Sequence, residues 1–453
     1  MSGARPSLAA VAGFRGWRAL RHPNYRLFFF GQLVSMIGTW MQTVAQGWLV
    51  LQLTGDPIYL GFIAVAQFTP VLVFGLFGGL IADSLPKRRT LVVTQTAAMI
   101  LAFILFGLAA THTVRVEHVM ILALLLGCTN AIDMPTRQSF AVEMVGREDI
   151  GNAVALNSAI FNGARVIGPA VAGLTIGATG VATAFLINGL SFLAVIVAYL
   201  RMNDQMLQSP PRLARPESIA GVAEHLRAGL EYVRATPLVL MPIIVIGLVS
   251  TFGMNFSVII PALAKDVLHV GATGYGFLMA ATGVGSFAAA IVIAFGRRSR
   301  PLMIGAGAAL LGAAEIVVAV SGSYALSLVA MFLAGLGAIS MAATANTAIQ
   351  LTVPDALRGR VLSVYTTVFA GSTPIGGLVA GSLASSLGVP FALGFGAVLS
   401  LLVGVGAAIW YSRSRTAKVA FAAVAASRLR AVEPGGREAG ATPGAARPSI
   451  GSG

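Results

Sequence analysis

Residues 129–140 read "TNAIDMPTRQSF" and follow "HVMILALLLGC", a run without charge after its first residue. Asp133 and Arg137 stand four apart, which puts them on one helix face within ion-pair reach. An acid and a base at that spacing can share, hold or release a proton, and in apolar surroundings each needs a partner or water. A second set is a stripe of neutral polar residues, Gln32, Ser35, Thr39, Gln42 and Gln46, recurring at steps of three and four along an otherwise apolar helix. Such a stripe can bind a solute or join a neighbouring helix by hydrogen bonds. A third set is Asp83 with Lys87, Arg88 and Arg89, an acid followed by three cations.

Other chemistries lack their residues. None of the three lysines, Lys87, Lys265 and Lys418, lies in a phosphate-cradling Gly-x-x-x-x-Gly-Lys loop, so ATP hydrolysis by this chain is not expected. The five histidines are dispersed and Cys128 is the only cysteine, so neither a metal site, an intramolecular disulfide nor a nucleophile-base pair is indicated. No cofactor is expected, and a small buried core position suits Cys128.

The elements that must position these groups are read from composition. Of 453 residues 57% are hydrophobic and 10% charged, against about 25% charged in soluble domains. Stretches long enough to cross a bilayer, about 20 residues each, recur twelve times with short connections. The expected organisation is a basic leader (1–26), six spans (27–200), a linker with an amphipathic helix from about Glu217 to Arg234 (201–237), six spans (238–411) and a disordered tail (412–453). A net charge of +14 would suit nucleic acid in a soluble protein, but here it is confined to alternate loops. Arg15 to Arg26, Lys87 to Arg89, Arg147, the linker, Arg297 to Arg300, Arg358, Arg360 and the tail share one side, while the opposite loops hold only Arg115 and Lys265. The positive-inside rule places both termini in the cytoplasm, in an inner membrane, without a cleavable signal peptide.

The halves resemble one another. "GCTNAIDMPTRQSFAVEMV" from Gly127 aligns with "GLGAISMAATANTAIQLTV" from Gly335, putting Met341 and Ala345 at the places of Asp133 and Arg137. "IGPAVAG" around Pro169 aligns with "STPIGGL" around Pro374. Parallel repeats of six spans are the arrangement in which two bundles rock about a midplane site.

"GGLIADSLPKRR" resembles the signature loop of the major facilitator superfamily, with Gly79, Asp83, Lys87, Arg88 and Arg89 at its positions and Ser84 and Pro86 departing from it. The resemblance implies an all-α membrane protein of twelve helices and a cytoplasmic gate in which Asp83 meets the start of the eleventh helix near Arg358 and Arg360; a basic loop obeying the positive-inside rule is the simpler reading. "ALNSAIFNGARVIGPAVAG" resembles the superfamily's antiporter motif, with Ala155, Ala164, Gly168, Pro169, Ala172 and Gly173 in place, three alanines replacing glycines. That motif accompanies exporters; close packing of small residues explains the same pattern. With "RHPNYRLFFFGQLVSMIGTWMQ" and "LRAGLEYVRATP", these stretches are similar to the enterobactin-exporter and macrolide-efflux group, the transmembrane secretion effectors.

The resemblance further implies a central cavity lined by helices one, four, seven and ten. The stripe on helix one, with Asn130, Asn255, Asn346 and Gln350, would then meet a bulky amphipathic small molecule exported in exchange for protons by a monomer, with the bilayer as its other contact. Uptake or flipping of a lysophospholipid-like solute is the alternative transport reading, and a membrane receptor or membrane-bound enzyme the alternative from another class. A turn near Glu148 would set Asp133 level with Arg165, and Pro135 would bend the fourth helix. Asp133 then either carries the coupled proton, changing its pairing with Arg137 or Arg165, or braces helices four and five permanently. Glu315 is a weaker candidate, expected to reach the outer interface.

Overall fold

The computed structural model describes residues 16–208, 219–295 and 301–414, without the side chains of residues 75–84, 219–223, 225 and 294–295. The described chain is helical because lipid offers backbone N–H and C=O groups no partner, and helices satisfy them internally. In order the helices are α1 (Pro23–Thr54), α2 (Ile58–Ser84), α3 (Lys87–Ala110), α4 (Val116–Thr179), α5 (Val181–Leu200), α6 (Ile219–Ala235), α7 (Pro237–Phe252), α8 (Phe256–Ala262), α9 (Gly271–Phe295), α10 (Leu302–Val320), α11 (Tyr324–Thr352), α12 (Asp355–Leu387) and α13 (Val389–Arg413). Among the described residues ten helical stretches are long and apolar enough to cross a membrane, and Ile58–Phe74 adds a shorter apolar run. The protein is therefore an all-α, multi-pass membrane protein with about ten to twelve apolar helices. Large apolar side chains such as Val93, Leu200, Ile375 and Leu402 face outward, as expected where the surrounding solvent is hydrocarbon.

α4 has 64 residues, about 96 Å if straight and three times a bilayer core. Gly146, at φ 73° and ψ 179°, interrupts it and creates two arms, 116–145 and 147–179. A side chain there would collide with the side-chain amide of Gln208, a residue held in place by its backbone N–H, which donates to the Glu143 carbonyl at 2.8 Å. Pro135 and Pro169 lie within helical backbone, and Gly146 is where the helical dihedrals break.

α1 packs on α4 and α5, α2 on the first arm of α4, and α9 to α11 form the corresponding second group with α12 and α13. The repeats seen in sequence make equivalent contacts. The backbone at Gly127 abuts the Gln67 carbonyl on α2, and that at Gly335 abuts the Thr282 carbonyl on α9. Likewise Gly173 meets Gly276 across the groups, and Gly377 meets Gly61.

These last contacts define one closed end of the bundle, opposite Gly16 and Arg413. There Lys265 Nζ donates to the Leu51 carbonyl at 2.7 Å and Trp48 stacks on Tyr275 with ring centres 6.1 Å apart. At the other end three ion pairs among the described residues each join partners of one group: Lys87 with Glu143, Arg88 with Asp204, Arg358 with Asp355.

The leader docks through Ala19, whose N–H donates to Asn152 Oδ1 at 2.8 Å, and through Arg18 and His22, which both reach Asp149. α6 starts and ends close to the expected linker helix and lies against α12, burying Val233. Its stripe is incomplete, since Leu230 stays exposed. Cys128 is half-buried, a correction to the expected core position, because its stretch of α4 faces outward at Leu124, Leu125 and Met134. The tail from residue 415 and the arginines Arg297, Arg298 and Arg300 lie outside the described residues.

Candidate functional site

Asp133 is 2% exposed and both carboxylate oxygens are engaged. Oδ2 pairs with Arg137 at 3.1 Å, while Oδ1 accepts from Thr94 Oγ1 and Gln95 Nε2, each at 2.8 Å. The cluster therefore joins α3 to the first arm of α4. Two features leave it adjustable. Thr94 has one hydroxyl hydrogen and a second acceptor, the Leu91 carbonyl at 3.1 Å. Gln95 Oε1 is buried with no hydrogen-bond partner among the described residues. The network can thus hold the ion, by donation from Thr94 and Gln95, or the neutral acid, by turning Thr94 to Leu91 and offering Gln95 Oε1 to the new O–H.

Arg165 is not part of this cluster. Asp133 lies 13 residues before Gly146 and Arg165 19 after it, so the turn two residues ahead of Glu148 offsets them by about 9 Å along the arms. Arg165 instead lies over the Trp40 ring, 5.8 Å from its centre.

The polar stripe on α1 divides between neighbours. Gln42 accepts from Asn188 on α5 at 2.5 Å, and Gly38 faces Asn188 and Ser191, so this part joins two helices. Gln32, Ser35 and Gln46 are buried, whereas Thr39 is exposed and bonds back to the Ser35 carbonyl. Asn130 and Asn346 are half-buried, and Gln350 donates to Asn346 at 2.5 Å. Asn255 is buried at the break between α7 and α8, donating to the Thr251 carbonyl.

Of the basic loop, Lys87 binds Glu143 on α4, and Arg88 donates to the Tyr199 and Leu200 carbonyls at 2.6 and 2.7 Å as well as to Asp204. Both cations therefore tie α3 to its own group, and Arg88 caps the C-terminus of α5. Arg89 is exposed, Arg360 half-buried, and the side chains of Gly79 and Asp83 lie outside the described residues. In the small-residue motif, Ala164 is buried and Gly168 packs on α1, where a Cβ at Gly168 would stand 2.5 Å from Trp40 Cβ. The Pro169 carbonyl and Gly173 pack on α9, Ala172 is buried, and Ala155 is exposed outside both contacts.

Glu315 departs most from expectation. It does not reach an interface: α10 is enclosed by α11 and α13, leaving the carboxyl 1% exposed. Sequence reasoning also missed Thr94, Gln95 and Asn188, whose signal was a polar side chain at an inward position of an apolar helix.

The model of the transmembrane secretion effectors matches residues 14–431. The chain belongs to that family. Its relatives include the staphyloferrin A transporter of Staphylococcus aureus (strain NCTC 8325 / PS 47), 24% identical over 80% of this chain and 90% of that protein. The multidrug efflux pump Tap of Mycolicibacterium fortuitum is 29% identical over the same shares, 80% and 90%. The enterobactin exporter EntS of Escherichia coli O1:K1 / APEC is 25% identical over 81% and 86%. Among solved structures the nucleoside transporter NupG has the same fold, with TM-score 0.67 at 11% identity over 86% of this chain and 100% of that one. The secretion effector fold seen here is thus that of the major facilitator transporters, and these relatives and structural neighbours are transporters, not enzymes.

Proposed function

We propose that this protein exports a bulky amphipathic small molecule, of the drug, siderophore or secondary-metabolite kind, across the cytoplasmic membrane by proton antiport. It acts as a monomer of twelve spans with both termini in the cytoplasm, and needs no cofactor beyond the ion gradient. Export is supported by relatives named as a staphyloferrin transporter, a multidrug pump and an enterobactin exporter. Alternating access is supported by the Lys265–Leu51, Trp48–Tyr275 and Gly173–Gly276 contacts that join the groups at one end and would separate as the groups rock.

The observation that carries the coupling is the Asp133 network, which offers hydrogen-bond partners to both the ionised and the neutral carboxyl. Protonation would cancel the charge that holds Arg137, freeing it to move with the first arm of α4. Charges inside a span cost about 2.5–3.5 kcal/mol, so a network that alternates between paired and neutral states avoids a bare ion at each step. The test is Asp133→Asn in proteoliposomes, comparing uphill efflux driven by a pH gradient with equilibrium exchange of a fluorescent amphipathic cation. Loss of uphill efflux with exchange retained is expected. Retained uphill efflux would refute proton coupling at Asp133, and loss of both would make it a brace.

A further inference from the structure

Glu315 belongs to no part of the mechanism above, yet it is the most isolated charge-bearing group described. Neither Oε1 nor Oε2 has a hydrogen-bond partner among the described residues, although the side chain is 1% exposed. The elements around it offer no counter-charge. α7, α8 and α11 contain no Asp, Glu, Lys, Arg or His, and α10 has only Glu315 itself. α13 has Arg413 and Tyr411 at its far end; Tyr324, at the start of α11, bonds to the Gly274 carbonyl. Lys265 and Asp266 lie in the π-helical turn after α8, and Lys265 is committed to Leu51.

The surroundings are those of an oxygen-donor site. Helix seven is interrupted at Gly253, Met254 and Asn255, between α7 and α8. A small cavity opens there, lined by Gly253, Asn255 and Glu315 on one side and Phe256, Met331 and Leu393 on others. Ser400 Oγ on α13 is buried and unpartnered as well. Gly253 lets these groups approach: a Cβ at that point would collide with Ser400 Oγ and lie 3.4 Å from Glu315 Oε2. A buried carboxylate and a buried hydroxyl beside the break in a membrane helix are hard donors, the kind that hold alkali cations or protons in discontinuous transporter helices.

We propose that Glu315, Ser400 and the break between α7 and α8 form a site for one monovalent cation, a proton or Na+, separate from the Asp133 cluster. The cation supplies the counter-charge that none of the surrounding helices brings to Glu315. Its position beside a helix break would make occupancy sensitive to the angle between α7 and α8, and so to the state of the second group.

The test is the rate at which a hydrophobic carbodiimide modifies Glu315, read by peptide mass spectrometry on full-length protein in nanodiscs. This reagent attacks the protonated carboxyl. If Na+ is the ligand, NaCl slows labelling at fixed pH and choline chloride does not. If the proton is the ligand, alkali cations have no effect and the rate falls about tenfold per pH unit above a midpoint between pH 5 and 9. A rate flat across that range and indifferent to Na+, or no labelling, overturns the site and leaves a permanently neutral or sealed side chain. Repeating the measurement in Asp133→Asn should give the same profile. A profile abolished by that substitution refutes the separateness of the two sites, whatever the fate of the antiport reading.

Discussion

Removing the Lys265 ammonium should open the closed end of the bundle. Lys265 Nζ reaches across the groups to the Leu51 carbonyl at 2.7 Å, in the last turn of α1, where the helix dipole adds to the attraction. A hydrogen bond from a charged donor contributes about 1.5–3 kcal/mol, but Lys265 is only half-buried and water competes, so about 1–2 kcal/mol is the fair figure. Lys265→Met keeps the aliphatic stem and removes the donor, so the equilibrium between closed and open forms of this end should move by about 5–30-fold. Spin labels at Thr179→Cys and Gly322→Cys, one on each group, in a Cys128→Ser background, report it as a longer distance population. A change of less than about twofold, the scatter of an uncoupled surface substitution, would refute the argument that this contact holds the end shut.

Two further outcomes follow from packing and capping. Arg88→Ala should lower the thermal midpoint by the loss of about 1–2 kcal/mol, since three acceptors on and after α5 lose their donor. Arg88→Lys should restore little of it, because a single ammonium cannot reproduce the guanidinium fork. Gly168→Leu should destabilise by about 1–3 kcal/mol, as its side chain would occupy the space of Trp40 Cβ and the Ile37 carbonyl. Melting curves in nanodiscs decide both.

The sequence shows the helices well because bilayer thickness fixes a length and hydrocarbon fixes a composition, and both are written residue by residue. It shows partners poorly. Asp133 and Arg137 are legible as a pair because four residues of helix set their separation, whereas Arg165 depended on where the chain turned. Moving that turn from Glu148 to Gly146 adds about 6 Å to the offset and brings it to about 9 Å. The α1 stripe gives a face but not the neighbour across it, so Gln42 met Asn188 where a cavity was expected. Thr94 and Gln95 carry no spacing signal, since two adjacent polar residues point in different directions on an isolated helix. Glu315 was misplaced because depth along α10 was read from sequence position alone, without the enclosure by α11 and α13.

The repeat itself provides a sharper test of why Asp133 can be ionised. Its counterpart Met341 is fully buried, but Gly307 of α10 brings only backbone and no donor against it. If the fold merely tolerated a carboxylate at this register, Met341→Asp would be as stable as the native pair. If the donors of α3 and the cation one turn on are what permit the charge, Met341→Asp meets Ala345 where Asp133 meets Arg137, and should cost about 3 kcal/mol, the insertion penalty of an unpaired charge. Adding Ala345→Arg should recover part of that loss by restoring the four-residue ion pair, and the shortfall measures what Thr94 and Gln95 contribute in the first group. Thermal midpoints of the single and double variants decide it: equal stability of Met341→Asp and the wild type would show that the register, not the partners, makes room for the acid.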